Sequence, residues 1–430
     1  LTMARKMKDS GIEWIGEIPE GWEIVPVRSC FDEVRTKNTN GQEQNALQFK
    51  SGNIISKANF NANIDDYVAD TITNYTVVLP DTVMINGLNL NYDFKSLRVA
   101  LVKEKGVITS AYLAIFPDRK KISPQYATYL FKGYETKMAF HNMGAGIRKT
   151  LGYKEFKNQP LLLPSKEEQN KISAYLDSKC SHIDIMLSKI RSSIEEYKKL
   201  KQAVITQAVT KGVRGEREMK DSGVEWIGEI PEEWNKCKLK NISIDIGDGL
   251  HGTPKFDDSG EVYFINGNNF SSEYVEPKFD TKKLCLEESL NYPKPELTEQ
   301  TIMISLNGSY GKVCLYRYFP MLLGKSAGYI TLLPSINRRY VRYYLSSTPA
   351  QIIMTLSLNG TTIPNLSLNT LYNFPTILPP ASEQAEIADY LDAKCTEIDG
   401  LIAKKEQLIK ELESYKKSLI YEVVTGKREM

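Results

Sequence analysis

The chain has 430 residues, of which 41% are apolar and 25% charged, a composition typical of globular proteins and a length that predicts two to four domains. Lys and Arg number 55 against 53 Asp and Glu, so the total charge gives no strongly basic footprint of nucleic-acid binding. No apolar run approaches the ~18–20 residues of a membrane span and no signal sequence opens the chain, so we expect a cytoplasmic protein without membrane contact. Six cysteines without a C-x-x-C pair, with three histidines, predict buried thiols rather than a zinc site or a disulfide framework.

The sequence is an internal duplication. Met7–Trp22 returns as Met219–Trp234 with two substitutions, and all four tryptophans lie in these two copies. A second repeated block opens at Pro164–Gln169 and again at Pro379–Gln384, offset by 215 residues. Because a fixed offset marks a repeated architecture, we predict two halves, each with an arm, a globular head and a helix. The predicted segments are 7–163 (first arm and head), 164–212 (central helix), 219–378 (second arm and head) and 379–426 (C-terminal helix).

The two arms are nearly identical, which bears on what their tryptophans do. Parts that read different targets should differ between the halves, so we interpret the tryptophans as anchors of each arm on its head. The alternative is that they stack on bases.

The first head is predicted to be strand-rich and α/β-mixed. Turn-bounded runs of β-branched and aromatic residues predict strands at Tyr75–Leu79, Val83–Asn86 and Val107–Phe116, before a short helix at Gln125–Phe131. A glycine-rich loop then presents side chains suited to phosphates and base edges: His141, Arg148 and Lys149. The alternative is an ordinary solvated turn.

The central helix carries a heptad stripe. Apolar residues at alternating three- and four-residue steps form the predicted seam Ile183, Leu187, Ile190, Ile194, Tyr197, Val204 and Ala208, with Lys201 at the one skipped position. Pro164 at the entry and Gly212 near the exit fit helix ends. Such a helix could run about 45 residues, or ~65 Å.

The second head has its own strand and loop pattern. Predicted elements are strands at Ile242–Ile246, Val262–Asn266, Ile302–Leu306 and Tyr329–Leu333 and a helix at Arg339–Leu345. Gly247-Asp-Gly249-Leu-His-Gly252 formally matches a dinucleotide-binding fingerprint, but the residues that follow cannot continue as the helix that such a site needs. We therefore predict a donor-rich loop. Candidate DNA contacts are His251, Thr253, Lys255, Asn268, Asn269, Asn307, Ser309, Lys312, Thr361 and Thr362.

The C-terminal helix repeats the stripe. Its predicted seam is Ile398, Ile402, Ile409, Leu412, Leu419 and Val423, broadened by Leu401 and Leu408 and interrupted by Lys405 and Lys416. An isolated amphipathic helix of this length leaves its stripe exposed, so we expect the two helices to pack against each other, antiparallel, about a pseudo-two-fold axis. The alternative is that each helix packs only on its own head.

Motifs of catalysis are missing from the sequence. There is no G-x-x-x-x-G-K-[ST] loop, and Leu378-Pro-Pro-Ala381 lacks the polar first and aromatic last residues of the tetrapeptide that carries amino-methylation of bases. We therefore expect a non-catalytic chain that binds no metal or cofactor.

Taken together, the motifs resemble the specificity (S) subunits of type I restriction–modification systems. The resemblance spans almost the whole chain. It is carried by the two arms, by Gly146-Ile-Arg-Lys-x-Leu151 with Lys154–Pro160, by the two Pro…Glu-Gln…Tyr-Leu-Asp helix openings and by Asp248-Gly-Leu-His-Gly-Thr-Pro-Lys255. The first head lacks the last of these motifs, so its contacts cannot be transferred from the second.

The resemblance implies an α+β protein with two pseudo-two-fold related target-recognition domains joined by a long antiparallel two-helix coiled coil. Each domain would recognise one half of a bipartite, asymmetric duplex DNA target. The implied partners are two methyltransferase (M) subunits that use S-adenosylmethionine and, in the restriction complex, two restriction (R) subunits that use ATP and Mg²⁺. The holocomplex would be a DNA adenine methyltransferase and an ATP-dependent endonuclease.

Two other interpretations remain open from the residues alone. One is a non-catalytic coiled-coil adaptor that clamps protein partners without reading DNA. The other is a piece of a self-contained restriction–methylation enzyme, which the missing methyltransferase tetrapeptide disfavours. Salt-dependent binding to duplex DNA separates the first from a specificity subunit, because phosphate-driven binding weakens steeply with salt.

Overall fold

The structure is a computed structural model that describes residues 5–50, 52–57, 72–95, 97–143, 149–358 and 364–430. The chain forms two compact units, the first combining Leu1–Ile190 with Glu406–Met430 and the second formed by Arg191–Lys405. Each of the two long helices therefore contributes one half to each unit. Both helices lie within the predicted segments.

The first unit is built on an antiparallel four-stranded sheet in the order β4-β11-β8-β9. Its strands are β1 (Met7–Asp9), β2 (Glu17–Pro19), β3 (Glu23–Pro26), β4 (Phe31–Glu33), β5 (Leu47–Lys50), β6 (Asn53–Ser56), β7 (Thr76–Val78), β8 (Val83–Ile85), β9 (Val99–Leu101), β10 (Gly106–Ile108), β11 (Leu113–Pro117) and β12 (Pro160–Leu163). Its helices are α1 (Pro124–Thr136), α2 (Tyr153–Phe156) and the first half of α3 (Lys166–Lys211). Helix α1 packs on β9.

The second unit has a four-stranded antiparallel sheet in the order β16-β22-β19-β20 and a three-stranded sheet in the order β18-β17-β21. Its strands are β13 (Met219–Asp221), β14 (Glu229–Pro231), β15 (Asn235–Lys238), β16 (Ser243–Asp248), β17 (Val262–Ile265), β18 (Lys283–Leu284), β19 (Thr301–Ser305), β20 (Val313–Leu315), β21 (Met321–Leu323), β22 (Ala327–Leu332) and β23 (Pro375–Leu378). Its helices are α4 (Leu286–Leu290), α5 (Arg338–Ser346), α6 (Thr348–Leu356), α7 (Leu368–Tyr372) and the first half of α8 (Ala381–Val424).

The two units repeat one plan and differ in their additions. Both contain an arm hairpin (β1–β2 and β13–β14), a strand pair that closes the head (β3–β12 and β15–β23) and a four-stranded sheet. The first unit adds the hairpin β5–β6 and the non-consecutive strand pair β7–β10, whereas the second unit has its three-stranded sheet. The predicted α+β class is confirmed, and the divergence lies in the heads, as expected.

One predicted strand is wrong in extent. Val107–Phe116 is two strands, β10 and β11, because the chain turns at Thr109–Tyr112. Ser110 stabilises the turn, since its hydroxyl donates to the Asn74 carbonyl at 2.8 Å. The apolar and β-branched residues on both sides made the segment look like one strand, and Ser110 was the only residue that indicated the turn.

Helices α1 and α5 occupy equivalent places and begin with equivalent caps. The Asn337 side chain accepts from the backbone N–H of Arg339 at 3.0 Å, and Ser123 caps α1 just before Pro124, as helix starts favour. A buried tyrosine in each helix then ties it to the closing strand pair, Tyr126 to the Leu162 carbonyl at 3.0 Å and Tyr340 to the Ile377 carbonyl at 2.8 Å. Both predicted helices are confirmed and are longer than predicted.

The repeated Glu-Gln pair at each helix opening anchors the arm. Trp22 donates from Nε1 to Glu168 at 2.9 Å, and Trp234 donates to the fully buried Glu383 at 2.9 Å. Gln384 accepts from the Asn337 N–H at 2.9 Å and donates to the Pro379 carbonyl at 2.9 Å. The anchoring interpretation is therefore confirmed for Trp22 and Trp234.

In the first unit, α3 packs on the head and on α8 within one core. Ile183 and Leu187 are buried in the same cluster as Leu419 and Val423, with Ile409 and Leu412 partly buried against it. Lys416 Nζ lies 2.6 Å from Asp184. A Cβ at Gly426, just after α8, would lie 3.3 Å from Trp22, which donates to Glu168 near the start of α3, so the two helices run antiparallel here. The alternative of helix-on-head packing alone is wrong, because both contacts form together.

In the second unit the same pairing recurs. Ile194 and Ile398 are buried, and the Lys405 ammonium lies 5.5 Å from the Tyr197 ring centroid. The skipped Lys201 bonds to Asp399 at 2.6 Å. The ammonium groups of the seam lysines thus contact carboxylates or an aromatic ring on the facing helix. Their aliphatic stems can therefore be partly buried in the seam while each charge keeps a partner.

The remaining seam residues follow the prediction with one exception. Ile190 and Ile402 are half-buried. Leu408, predicted to broaden the stripe, is instead 42% exposed. It lies one position outside the a/d spacing, and a two-helix seam covers only a narrow stripe.

The predicted thiols are all free cysteines. Four of them (Cys30, Cys180, Cys314 and Cys395) are buried, as expected, and the other two are half-buried. Burial raises the pKa of Cys314 to about 12, so this thiol stays protonated and unreactive near neutral pH.

Candidate nucleic-acid interface

The candidate loops of the second unit leave from one edge of its four-stranded sheet. Strand β16 ends where β22 begins, since Asp248 pairs with Gly328, and β19 ends at the same edge, since Ser305 pairs with Ala327. The loops after β16, after β19 and before β22 therefore start side by side.

Backbone hydrogen bonds join these loops to one another. Leu250 N–H donates to Leu323 O at 2.7 Å, and Leu306 N–H donates to Ser326 O at 3.0 Å. Leu366 N–H donates back to Leu306 O at 2.8 Å. The joined segments, residues 249–251, 306–312, 324–326 and 364–366, thus form one surface, here called the second edge surface.

Most predicted contacts of the second unit have exposed side chains, and His251, Asn307, Ser309 and Lys312 lie on the second edge surface. Those with exposed side chains are His251, Thr253, Lys255, Asn268, Ser309 and Lys312. Asn307 is half-buried and pairs through its backbone with Asn365. Thr361 and Thr362 lie outside the described residues. The second edge surface also includes Lys325, an exposed cation that the sequence reading missed.

Asn269 does not fit the prediction of a direct contact. It is buried, its Oδ1 accepts from the Asn266 N–H at 3.0 Å and its Nδ2 donates to Thr281 Oγ1 at 2.8 Å. A committed amide cannot read a base edge. Its side chain instead fixes the turn at 278–281, where Phe279 is fully exposed.

The loop after β16 is irregular throughout, without a helix between residues 249 and 261. The prediction that no helix follows the glycine motif, as a dinucleotide site would need, is therefore confirmed. Gly249 instead allows the backbone of this loop to approach that of Leu323 closely, because a Cβ at position 249 would lie 2.3 Å from the Leu323 carbonyl.

Charge on this loop is arranged by local hydrogen bonds. His251 Nε2 lies 2.6 Å from Asp248 Oδ2, which orients the imidazole. The Lys255 N–H donates to Glu288 at 3.0 Å, and this hydrogen bond is the main cause that lowers the pKa of Glu288. The Lys255 ammonium remains exposed for phosphate.

The first unit forms a comparable surface where β8 ends and β9 begins. Leu151 N–H donates to Gly87 O at 2.9 Å, and Leu90 N–H donates to Lys149 O at 3.2 Å. Lys149 is exposed and thus lies beside the loop that joins the two strands. Arg148 lies outside the described residues. We call the described residues of this loop, 86–95 with 97 and 98, the first edge loop.

His141 also meets the first edge loop, but as a support. Its Nε2 lies 3.2 Å from Asp93 O, and its ring stacks on Phe94 with centroids 5.0 Å apart and an interplanar angle of 11°. The side chain is half-buried. The geometry thus favours a positioning role over a free contact.

The first edge loop is a candidate element that the sequence analysis did not single out. Arg98 is 1% exposed and donates from Nη1 to the Asn86 and Leu88 carbonyls at 2.9 Å each. Burial raises the pKa of Glu135 to about 7, although its carboxylate accepts from the Arg98 N–H at 2.5 Å. The available signal was a short segment that combines two aromatic residues, Tyr92 and Phe94, with two basic residues, Lys95 and Arg98, directly before a strand.

Two negative findings concern the described residues. Among them, no three His, Cys, Asp or Glu side chains converge as a metal site. No helix in the described ranges is both long and apolar enough to cross a bilayer.

Comparison with known proteins points to one family. Residues 231–414 match the model of the type I restriction modification DNA specificity domain. The chain is 26% identical over 430 residues to the MjaX specificity subunit of Methanocaldococcus jannaschii, covering 96% of this chain and 95% of that protein. It is also 26% identical over 423 residues to the MjaVIII specificity subunit of the same organism, covering 95% and 93%.

Solved structures share the fold. A chain from a type I restriction–modification system superposes with a TM-score of 0.71 at 16% identity, covering 96% of this chain and 99% of the other. The HsdS subunit of Thermoanaerobacter tengcongensis gives a TM-score of 0.52 at 16% identity, covering 96% and 98%.

Proposed function

We propose that this chain, which belongs to the family of type I restriction–modification specificity subunits, recognises a bipartite, asymmetric DNA target and recruits the subunits that modify and cleave DNA. Each unit would read one half-site. The chain itself would be non-catalytic.

The observation that carries this proposal is the contrast between scaffold and edges. The scaffold contacts recur pairwise, as Trp22 to Glu168 and Trp234 to Glu383. The edges differ: the second unit has a donor-rich set of loops there, and the first unit has an Arg98-centred loop in the equivalent place of its own sheet. Two copies of the same partner subunit would need the same surface in both units. Two different DNA half-sites would need different surfaces.

Recognition would divide between phosphate and base contacts. Lys255, Lys312 and Lys149 are exposed cations suited to phosphates, which fix position without reading sequence. Asn307, Ser309 and Thr253 offer the neutral donors and acceptors that read base edges in the major groove. The roles of Arg148, Thr361 and Thr362 stay predictions.

The partners would supply the chemistry. Two M subunits would bind the repeated scaffold and methylate an adenine extruded from the stack, using S-adenosylmethionine. Two R subunits, where present, would use ATP and Mg²⁺ for translocation and cleavage. These assignments come from the resemblance to the family and from the duplicated scaffold.

The helices would set the distance between the half-sites. Helix α3 has 46 residues and α8 has 44, or roughly 65–70 Å at ~1.5 Å per residue. Adding one turn of ~5.4 Å to both should lengthen the unread spacer by one or two base pairs of ~3.4 Å.

The test is methylation-sensitive long-read sequencing of cells that express this chain with its M subunit. We expect one split motif, methylated in both parts. Purified complex should bind a duplex with that motif with an affinity that falls steeply with salt. A complex that copurifies with M subunits but leaves DNA unmethylated and shows no salt-dependent binding would instead support the protein-clamping adaptor.

A further inference from the structure

The first edge loop exposes an apolar tip. Tyr92 is 72% exposed, Phe94 57% and Leu97 47%. Single exposed apolar residues are common, but three on one loop form a patch of the kind that marks an interaction site. Here the name apolar tip denotes these three side chains.

The loop that carries the apolar tip is held in a fixed conformation from below. The buried Arg98 guanidinium donates to the carbonyls of Asn86, Leu88 and Asp93. Asn89 takes a left-handed conformation at φ 53°, and its carbonyl accepts from the Asp93 N–H at 3.0 Å. A loop whose carbonyls converge on one buried cation presents its outer side chains in a preorganised arrangement.

The chemistry around the apolar tip matches duplex DNA. The His141 ring stacks on one face of the Phe94 ring, and the Phe94 side chain is still 57% exposed. Lys95 and Lys149 are both exposed on the loop and its neighbour. Cations beside aromatic faces fit a ligand with phosphates beside stacked bases.

We propose that the apolar tip stacks on base faces at the first half-site as a wedge, while Lys95 and Lys149 contact the flanking phosphates. Apolar wedges of this kind enter between base steps and unstack them. An unstacked step would lower the cost of extruding a neighbouring base for methylation. His141 would act as a positioning residue that supports the Phe94 ring. This inference rests on the proposed DNA-recognition function.

The test uses the full chain with its M subunit and the target duplex found by methylation sequencing. The variant is Tyr92→Ala with Phe94→Ala, and the rescue variant is Tyr92→Phe with Phe94→Trp. Stacking on one aromatic side chain is worth about 1–3 kcal/mol, so we expect the alanine variant to bind about tenfold more weakly or worse. Stacking involves no phosphate contact. The slope of log K against log salt concentration should therefore be the same for the alanine variant as for the wild type.

Two matched variants separate stacking from other effects. Lys149→Ala should lower the salt slope by about one. Tyr318→Ala removes a ring that is 82% exposed but follows β20 at the opposite edge of the second unit's sheet, so it should leave binding unchanged. A 2-aminopurine placed in the first half-site should brighten on binding of the wild type and of the rescue variant, but not of the alanine variant.

Each outcome decides between distinct ideas. If the wild-type complex shows no salt-dependent DNA binding, the proposed function fails and the wedge fails with it. If the wild type binds and the alanine variant binds equally well, the wedge alone is refuted. If the alanine variant keeps its DNA affinity but loses its M subunit or a second copy of the chain, the apolar tip is a protein contact and the wedge is also refuted.

Discussion

At the scale of single residues, the carboxyl group behind the first edge loop links folding to pH. Burial raises the pKa of Glu135 to about 7 from an ordinary 4.5, against the opposing effect of Arg98. Between these values the folded chain holds a proton that the unfolded chain has lost, so stability falls as pH rises through this window.

We therefore expect Glu135→Gln to flatten that fall. The glutamine keeps an acceptor for the Arg98 N–H but carries no charge to desolvate. Relative to the wild type, its free energy of unfolding should be similar near pH 4.5 and higher by up to about 3 kcal/mol at pH 8. Chemical denaturation at both pH values measures this difference, with exposed Glu20→Gln as the control. A difference that does not change with pH would contradict the prediction.

The four tryptophans should also differ in solvent access. Trp22 and Trp234 are buried, whereas Trp226 is 45% exposed. In the first unit the Tyr421 hydroxyl donates to Trp14 O at 2.7 Å and covers that residue. The residue 215 positions earlier is Thr206, which is too small to cover Trp226.

Trp226→Phe should therefore remove most of the red-shifted, iodide-quenchable tryptophan emission of the purified chain. Trp14→Phe should remove less, because the Trp14 ring packs edge-on against Tyr134 with centroids 4.7 Å apart. Steady-state quenching measures both. Equal losses from the two variants would show that the arms are covered alike.

At the scale of elements, the buried carboxylate at the start of α8 organises the second arm. Glu383 accepts from Trp234 Nε1 at 2.9 Å and from Arg217 Nη2 at 2.6 Å. Removing one partner of a buried ion pair leaves the other charge buried without a partner, which lowers the free energy of unfolding by about 3–5 kcal/mol. The arm should therefore loosen before the sheet does.

Glu383→Ala should raise hydrogen exchange in residues 212–238 by roughly 100-fold or more. Exchange in the first arm should stay unchanged. The control is Glu397→Ala on the same helix, which removes an exposed pair with Lys394 worth well under 1 kcal/mol. Exchange mass spectrometry reports both arms at once, and equal effects of the two variants would refute the anchoring role.

The elements that sequence reasoning found are those with redundant signals. The seam from Ile183 to Ala208 repeats over more than three heptads, so one lysine at position 201 could not hide it. The strand boundary at Ser110 and the exposure of Leu408 depend on single side chains and were misjudged. Asn269 looked like a base reader because its type fits, whereas its partners Asn266 and Thr281 are visible only in the fold.

At the scale of the whole molecule, helix length is the quantity to vary. Inserting seven residues after Ile190 and seven after Lys405 adds two turns to each helix and keeps the heptad phase. At ~1.5 Å per residue this is roughly 10 Å, or about three base pairs. Methylation sequencing should then show the same half-sites with a longer spacer.

The matched control inserts the seven residues into α3 alone. That change should misalign pairs such as Lys201 with Asp399 and lower the yield of folded chain. A recognised spacer of unchanged length in the double insertion would refute the role of the helices in spacing.

Sequence could not reveal the first edge loop for a physical reason. Its order depends on Arg98, and an arginine in a sequence reads as a surface cation until its carbonyl acceptors are known. Those acceptors, the carbonyls of Asn86, Leu88 and Asp93, are near in sequence, but only the folded loop brings them together around the guanidinium. The scaffold, in contrast, could be recognised from the sequence because its motifs occur in two copies.

The division of the two long helices between units also orders biosynthesis. The second unit is one uninterrupted stretch, Arg191–Lys405, whereas the first needs Glu406–Met430 to complete its core. Domains commonly acquire their structure as they leave the ribosome, N-terminal first. Here the first unit can complete its core only after the whole second unit has been translated, so the nascent chain would hold an unfinished hydrophobic surface until Glu406–Met430 has emerged.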